Sequence, residues 1–361
     1  MAASRFRGRE ISPSSKMILT IFILLLFGGS IFSRPYEESY LEKSPILCRR
    51  EHRDTFHSFV ADRWDAARKS MGLPNMNVSI YSNHYVYINF VKFHSGIVIF
   101  TTPDNATDLP YVRIYKCANE AIVQNLFFGK KFRDVPPNWI TIKNYEEFIK
   151  YKDTYVVQRP NRVLKKSFTF VRDPLVRFES GFAEAIWYTN DFNQRRNLGP
   201  QINVTSAEDV KSLLTQFLEL NSPFSRRGGD HLSTMSKVFF EFDIDVVGYL
   251  ESFFTDWQAK IVAGYNLDLY NHTFNHKLGK HSSAINHPGM EQNIQLRINS
   301  ARLYFQKLLE ADSSVMNAIC HLVMIDYVCL AKYSLPAKCQ HLYPVLDAGR
   351  KLLQLGTPKP N

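Results

Sequence analysis

The residues whose types and spacing best suit chemistry fall in Ser167–Phe182, SFTFVRDPLVRFESGF. Arg172, Arg177 and Ser180 follow one another at intervals of five and three. Residues three apart on a helix share a face, so Arg177 and Ser180 stand side by side if this stretch is helical. Two guanidiniums and a hydroxyl near a helix N-terminus suit a phosphate dianion: forked charged donors match its oxygens, and the helix dipole adds positive potential. The plainer alternative is that the arginines pair with Asp173 or Glu179. Phe168, Phe170 and Val171 read as a short buried strand, and Leu175 to Tyr188 reads as a helix. Pro174 suits the first helical position, where its missing N–H costs nothing. Arg172 then stands at the C-terminal tip of a strand, where open α/β sheets bind ligands.

A second stretch has the same grammar. Tyr111–Tyr115 alternates as a strand, Lys116 to Glu120 is a turn, and Ala121 to Phe128 reads as a helix. A lysine-bearing turn between strand and helix is how phosphate is held in nucleotide-binding folds, though the Gly-x-x-x-x-Gly-Lys-Ser/Thr signature is absent. The competing reading of Lys116 is a solvated surface lysine. A third stretch, Asn221 to Trp257, carries a basic glycine-hinged loop (Arg226, Arg227, Gly228, Gly229) ending at His231. Phe239-Phe240 and Ile244 to Tyr249 read as strand, and a helix follows from Leu250 to Tyr265. His231 has the chemistry of a base, since imidazole titrates near neutrality; the alternative is a structural loop histidine.

These stretches need a framework. Tyr85–Phe90 and Gly96–Phe100 read as strands. His52–Met71, Ile142–Tyr151, Ala207–Asn221 and Gln292–Tyr333 read as helices, the third with Val210, Leu213, Leu214, Phe217 and Leu218 on its core face. The chain has 361 residues, 45% of them hydrophobic, with a formal net charge of +10. That is enough for one large α/β domain with appendages, and the charge points to a polyanionic partner. No zinc finger, helix-turn-helix or RNP motif supports nucleic acid as that partner. Residues 1–16 form a basic leader, and 17–33 are apolar and uncharged. The charge ahead of this run favours a cytoplasmic N-terminus and an uncleaved signal anchor. Residues 34–76 read as a stem, 77–340 as a lumenal domain and 341–361 as a tail. Sequons at Asn77, Asn105, Asn203 and Asn271 suit a lumenal chain. Of the five cysteines, Cys48, Cys320 and Cys339 are candidates for pairing, with at least one cysteine left over. Asp243-Ile244-Asp245 has the form of a glycosyltransferase metal motif but sits at a strand entry, and the histidines of His276–Pro288 show no metal-ligand spacing.

Arg172-Asp173-Pro174, Arg177 and Ser180 after a strand resemble the 3′-phosphate-binding element of sulfotransferases that use 3′-phosphoadenosine 5′-phosphosulfate (PAPS). The chain is most similar to the Golgi carbohydrate sulfotransferases, in particular their chondroitin and HNK-1 branch. The resemblance covers about Tyr111 to Tyr333. It implies a three-layer, P-loop-like α/β sulfotransferase fold with a central parallel sheet, behind the membrane anchor. It implies that Arg172, Arg177 and Ser180 seat the 3′-phosphate, and that Lys116, with the turn residues Cys117, Ala118 and Asn119, binds the 5′-phosphosulfate. His231 followed by Gly248-Tyr249-Leu250-Glu251 stands in the family's order, and Ile325-Asp326-Tyr327 with Tyr333 resembles its closing helix. Lys116 and His231 would then be catalytic. No metal is implied, because cationic side chains balance the charge. The implied acceptor is a chondroitin-type glycosaminoglycan or another glycan, met in the Golgi lumen by a single-pass type II protein. Ala118, Asn119 and Glu120 stand where the family carries Ser or Thr. A carboxylate beside a phosphosulfate repels it, which favours the alternative of a non-catalytic lumenal glycan-binding protein.

Overall fold

The computed structural model describes residues 45–74, 96–101, 107–114, 116–118, 122, 140–142, 145–158, 161–196, 201–219, 224, 231–265 and 288–355. The anchor run, the 85–90 strand, the 121–128 helix apart from Ile122, Asn119, Glu120, Arg226, Arg227 and the sequons Asn77, Asn105 and Asn271 lie outside them. Among the described residues no helix is long and apolar enough to cross a membrane.

The strands are β1 (Ile97–Thr101), β2 (Thr107–Val112), β3 (Ile140–Ile142), β4 (Val163–Leu164), β5 (Phe168–Val171) and β6 (Val246–Tyr249). The helices are α1 (Arg53–Ser70), α2 (Tyr145–Gln158), α3 (Pro174–Arg196), α4 (Ala207–Glu219), α5 (Ser236–Phe239), α6 (Phe253–Asp256), α7 (Pro288–Ala311), α8 (Ser313–Leu322), α9 (Met324–Cys329) and α10 (Tyr343–Leu355). The sheet runs β3-β1-β2-β5-β6, with β4 pairing β2. It is mixed, which corrects the expectation of a parallel sheet: β1 lies antiparallel to β2 and β3, while β2, β5 and β6 are parallel neighbours. The parallel half carries the chemistry, because its three carboxyl ends open on one edge.

Both sheet faces are buried, as period-2 alternation requires. Ile97, Ile99, Val112, Val171 and Val247 point into one core with Phe178, Phe182 and Phe305; Val98, Phe100, Tyr111, Phe168 and Phe170 point into the other with Phe253, Trp257 and Ile261. The result is three layers. Gly248 on β6 is required by contact: a Cβ there would stand 2.3 Å from the Phe170 ring. Phe239-Phe240, read as strand, instead close the helical turn α5, because the segment packs across the core side on and both rings are buried.

The expected stem and tail are also corrected from Pro45 onward. Helix α1 buries Phe56, Phe59, Val60, Trp64 and Ala67 in the main core, each large side chain contributing about 1.5–3 kcal/mol. Ile46 bridges Leu330, and Cys48 is bonded to Cys329. Helix α10 lies so close to α1 and α9 that a Cβ on Gly349 would meet Phe59 and Val328. The second disulfide is Cys320–Cys339, and Cys117 is a buried thiol. Cys329 is thus the partner of Cys48, a pairing across 281 residues that only the packing of the amino-terminal segment on α9 brings together.

Candidate functional site

Strands β2, β5 and β6 end side by side, so the turns that follow them meet. The turn after β2 carries Lys116 and Ala118 at φ 66° and 61°. Non-glycine residues in the left-handed region cost roughly 1–3 kcal/mol each and persist where the surroundings over-determine them. Such backbone turns the chain sharply and points successive N–H groups inward, the arrangement that cradles anions. The turn is pinned by Cys117 N–H on Ile114 O and Ile122 N–H on Ala118 O. Cys117 itself is not a ligand. Its backbone N–H is spent in the turn, and its thiol is buried at 3.8 Å from Met235 Sδ, where burial pushes its pKa up to about 12. That corrects its place in the expected cofactor set.

After β5, Asp173 caps α3: its carboxylate accepts from Val176 N–H at 3.0 Å, and Pro174 occupies the first turn. Arg172 projects back along the helix and donates to Ser180 Oγ at 3.0 Å. The two expected 3′-phosphate residues are thus together. Arg177 is buried at 2% exposure, and its charge acts on Cys117, Asp326 and His231. It therefore forms the floor of the site.

The third turn locks the other two. Glu251 Oε1 accepts from Asp173 N–H at 3.2 Å, and its Oε2 accepts from Tyr333 Oη at 2.8 Å. Tyr327 Oη donates to the Asp173 carboxylate at 3.3 Å, while the buried Asp326 accepts from Met235 and Ser236 N–H at 3.0 and 2.7 Å. Glu251, Asp326 and Tyr327 on α9, and Tyr333 beyond its end, are therefore braces for the Arg172 turn and the His231 segment. Asp245, of the Asp-x-Asp match, accepts from both the N–H and the Oγ of Ser167 and aligns β6 with β5.

Glu184 was not singled out in the sequence, yet it stands in the middle of the site. It lies one turn beyond Ser180 on α3 and pairs with Lys116 Nζ at 2.8 Å. The only signal was its spacing of four from Ser180, which puts both on one helix face. Continuing four residues along that face, Tyr188 sets its ring 5.4 Å from the His231 ring. The His231 main chain presses on α3 at Gly181, where a Cβ would come within 2.1 Å of the His231 carbonyl oxygen. Only glycine admits that approach.

Burial, followed by the positive charges of Lys116 and Arg177, lowers the His231 pKa to about 4, against the opposing pull of Glu184. His321, under α1, is lowered to about 4 by burial and by Arg63. Both rings are neutral in the fold at pH 7. The unfolded chain takes up their protons near pH 6.5, so their contribution to stability is complete above that pH. It falls as pH drops from about 6.5 to 4, by on the order of 2 kcal/mol per ring. Urea unfolding midpoints should decline across that window, and H321Q should remove about half the decline; a flat profile would refute the assignment.

Three observations now coincide: an anion-cradling lysine turn after β2, an Arg–Ser pair after β5, and braces after β6. The family model described as Sulfotransferase family matches residues 99–331, well over half of the chain and all three turns. The chain belongs to the sulfotransferase family. No curated protein and no solved structure matches it significantly. Sulfuryl transfer is this family's chemistry, and PAPS is its usual donor. The residues present fit that donor in kind: Lys116 on positive-φ backbone at one end, Arg172 with Ser180 at the other, and Arg177 below.

Proposed function

We propose that this sulfotransferase carries a sulfuryl group from PAPS to a hydroxyl of a glycan, with a chondroitin-type glycosaminoglycan as the acceptor. The observation that carries the reading is the meeting of Lys116 and the Arg172–Ser180 pair at one sheet edge, with Glu184 paired to Lys116 and His231 packed on α3 at Gly181. PAPS supplies the activated sulfuryl group when bound. Arg172 and Ser180 hold its 3′-phosphate, exchanging their mutual hydrogen bond for bonds to phosphate oxygens. Lys116 leaves Glu184 to neutralise the charge that builds on the departing phosphate oxygen. His231 Nδ1 or Nε2, neutral in this site, is the acceptor of the hydroxyl proton.

The net charge of +10 supports an acidic acceptor. The disulfides Cys48–Cys329 and Cys320–Cys339 support an oxidising compartment, in keeping with a Golgi type II protein anchored through residues 17–33. The second reading, a glycan-binding protein without turnover, is favoured by Lys116 being already paired with Glu184.

Calorimetry of the desulfated donor PAP against the protein, with ATP and UDP as controls, decides between them. Specific micromolar binding is expected, weakened in Arg172→Ala by about 1.5–3 kcal/mol for the loss of a charge-assisted phosphate contact. No PAP binding by folded protein would leave the non-catalytic reading, and unchanged affinity in the variant would remove Arg172 from the site.

A further inference from the structure

Helix α3 continues past the site, and the next side chains along it line a pocket apart from the residues assigned to the donor. The pocket has a volume of about 220 Å³ and lies between α3, the 201–204 segment and α7. Its walls include Trp187, Asp191, Gln194, Asn203 and Arg297, over a floor formed by Ile298 and its apolar neighbours. It is built rather than accidental. Asn190 clamps the 201–204 segment to α3 through two bonds, donating to Ile202 O at 2.7 Å and accepting from Ile202 N–H at 2.6 Å. Arg297 donates to Gln201 Oε1 at 2.8 Å, which braces the opposite wall with one of its five donors.

The chemistry of the walls is specific. An indole offers a flat apolar face. Side-chain amides offer donors and acceptors together, as the vicinal hydroxyls and acetamido groups of a sugar demand. The single carboxylate and single guanidinium leave little net charge, so a phosphate or sulfate cluster is a poor match. The volume is below that of pockets for drug-sized ligands and suits one ring. Trp187 is three residues beyond Glu184, about 4.5 Å along the helix axis, and Asp191 is about 10.5 Å along it. The pocket therefore lies within one to two helical turns of Glu184 along α3.

We propose that this pocket binds a pyranose ring, stacked on Trp187 and hydrogen-bonded by Gln194 and Arg297. Two sources share that chemistry. One is the acceptor unit next to the one sulfated, which rests on the glycan-sulfotransfer reading. The other is the first sugar of an N-glycan on Asn203 itself, which is exposed and heads the sequon Asn203-Val204-Thr205.

The test uses the full chain purified from a secretory host, with the fluorescence difference between wild type and W187F isolating the Trp187 signal. In the first arm, unsulfated chondroitin hexasaccharide should shift that signal saturably, with Gln194→Ala raising the half-saturation concentration about tenfold. In the second, the N203Q variant should carry one enzymatically removable glycan fewer than the wild type, and enzymatic deglycosylation should change Trp187 emission in the wild type but not in N203Q. A positive result in either arm supports the pocket and names its source. A signal indifferent to both overturns it. PAP calorimetry on the same samples separates the two claims. PAP binding with both arms negative removes the pocket alone, whereas a positive arm without PAP binding keeps the pocket and removes sulfuryl transfer. W187F and Q194A must bind PAP as the wild type does, which excludes misfolding as the cause.

Discussion

Lys116→Ala is expected to lower turnover on unsulfated chondroitin by about 10²–10³-fold, the loss typical when one preorganised donor to a developing negative charge is removed. Affinity for the intact donor PAPS should change far less, because the lysine acts on charge that appears as the sulfur–oxygen bond breaks; PAP, whose 5′-phosphate carries that charge, should bind more weakly. The structure explains why alanine is the informative replacement. Lys116 sits at φ 66° in a turn whose geometry is set by backbone bonds, so truncating the side chain leaves the cradle in place. It also removes the ion pair with Glu184, whose carboxylate is 2.8 Å from the amine. Single-turnover transfer of labelled sulfate measures the effect. Turnover within a few-fold of the wild type would exclude Lys116 from the reaction.

The largest effect on stability is expected at Asp326. Its carboxylate is 1% exposed and accepts from the N–H groups of Met235 and Ser236, while Arg177 lies close enough to oppose the rise in its pKa that burial causes. Asp326→Ala strands two buried donors and leaves a buried guanidinium without this carboxylate. Stranding two buried donors costs about 1–3 kcal/mol each, a large part of the roughly 5–15 kcal/mol that holds a domain together. Asp326→Asn keeps an oxygen acceptor and should recover part of the loss. Urea unfolding with unchanged m-value is the measurement. A loss below about 1 kcal/mol would mean that other groups satisfy Met235, Ser236 and Arg177. The same substitution should loosen His231, because Met235 and Ser236 begin the helix just beyond it.

How far each part could be read in advance follows from where its determinants lie. The Arg172 element was legible because every signal in it is local: alternation for β5, Asp173 and Pro174 for the helix start, and a spacing of three and five for the face. Helix α4 was legible for the same reason, and its core residues Val210, Leu213, Leu214, Phe217 and Leu218 are buried as its spacing requires. The mixed sheet was not legible. The pairing of β1 with β3 joins residues more than forty positions apart and depends on which edge of β1 is left open by β2. The stem assignment failed because α1, amphipathic by sequence, gives no sign of which surface it covers.

For this protein the sequence by itself determined the family, the order of the three turns and the side chains at their tips, because each is a run of neighbouring residues with its own capping, alternation or turn chemistry. Only the tertiary structure decided that Glu184 faces Lys116, that Cys48 pairs with Cys329, that Cys117 is core rather than ligand, and that Glu251, Tyr327 and Tyr333 brace the site. Each of these joins groups far apart in the chain or on different elements, and packing three layers around one sheet is what brings them within bonding distance.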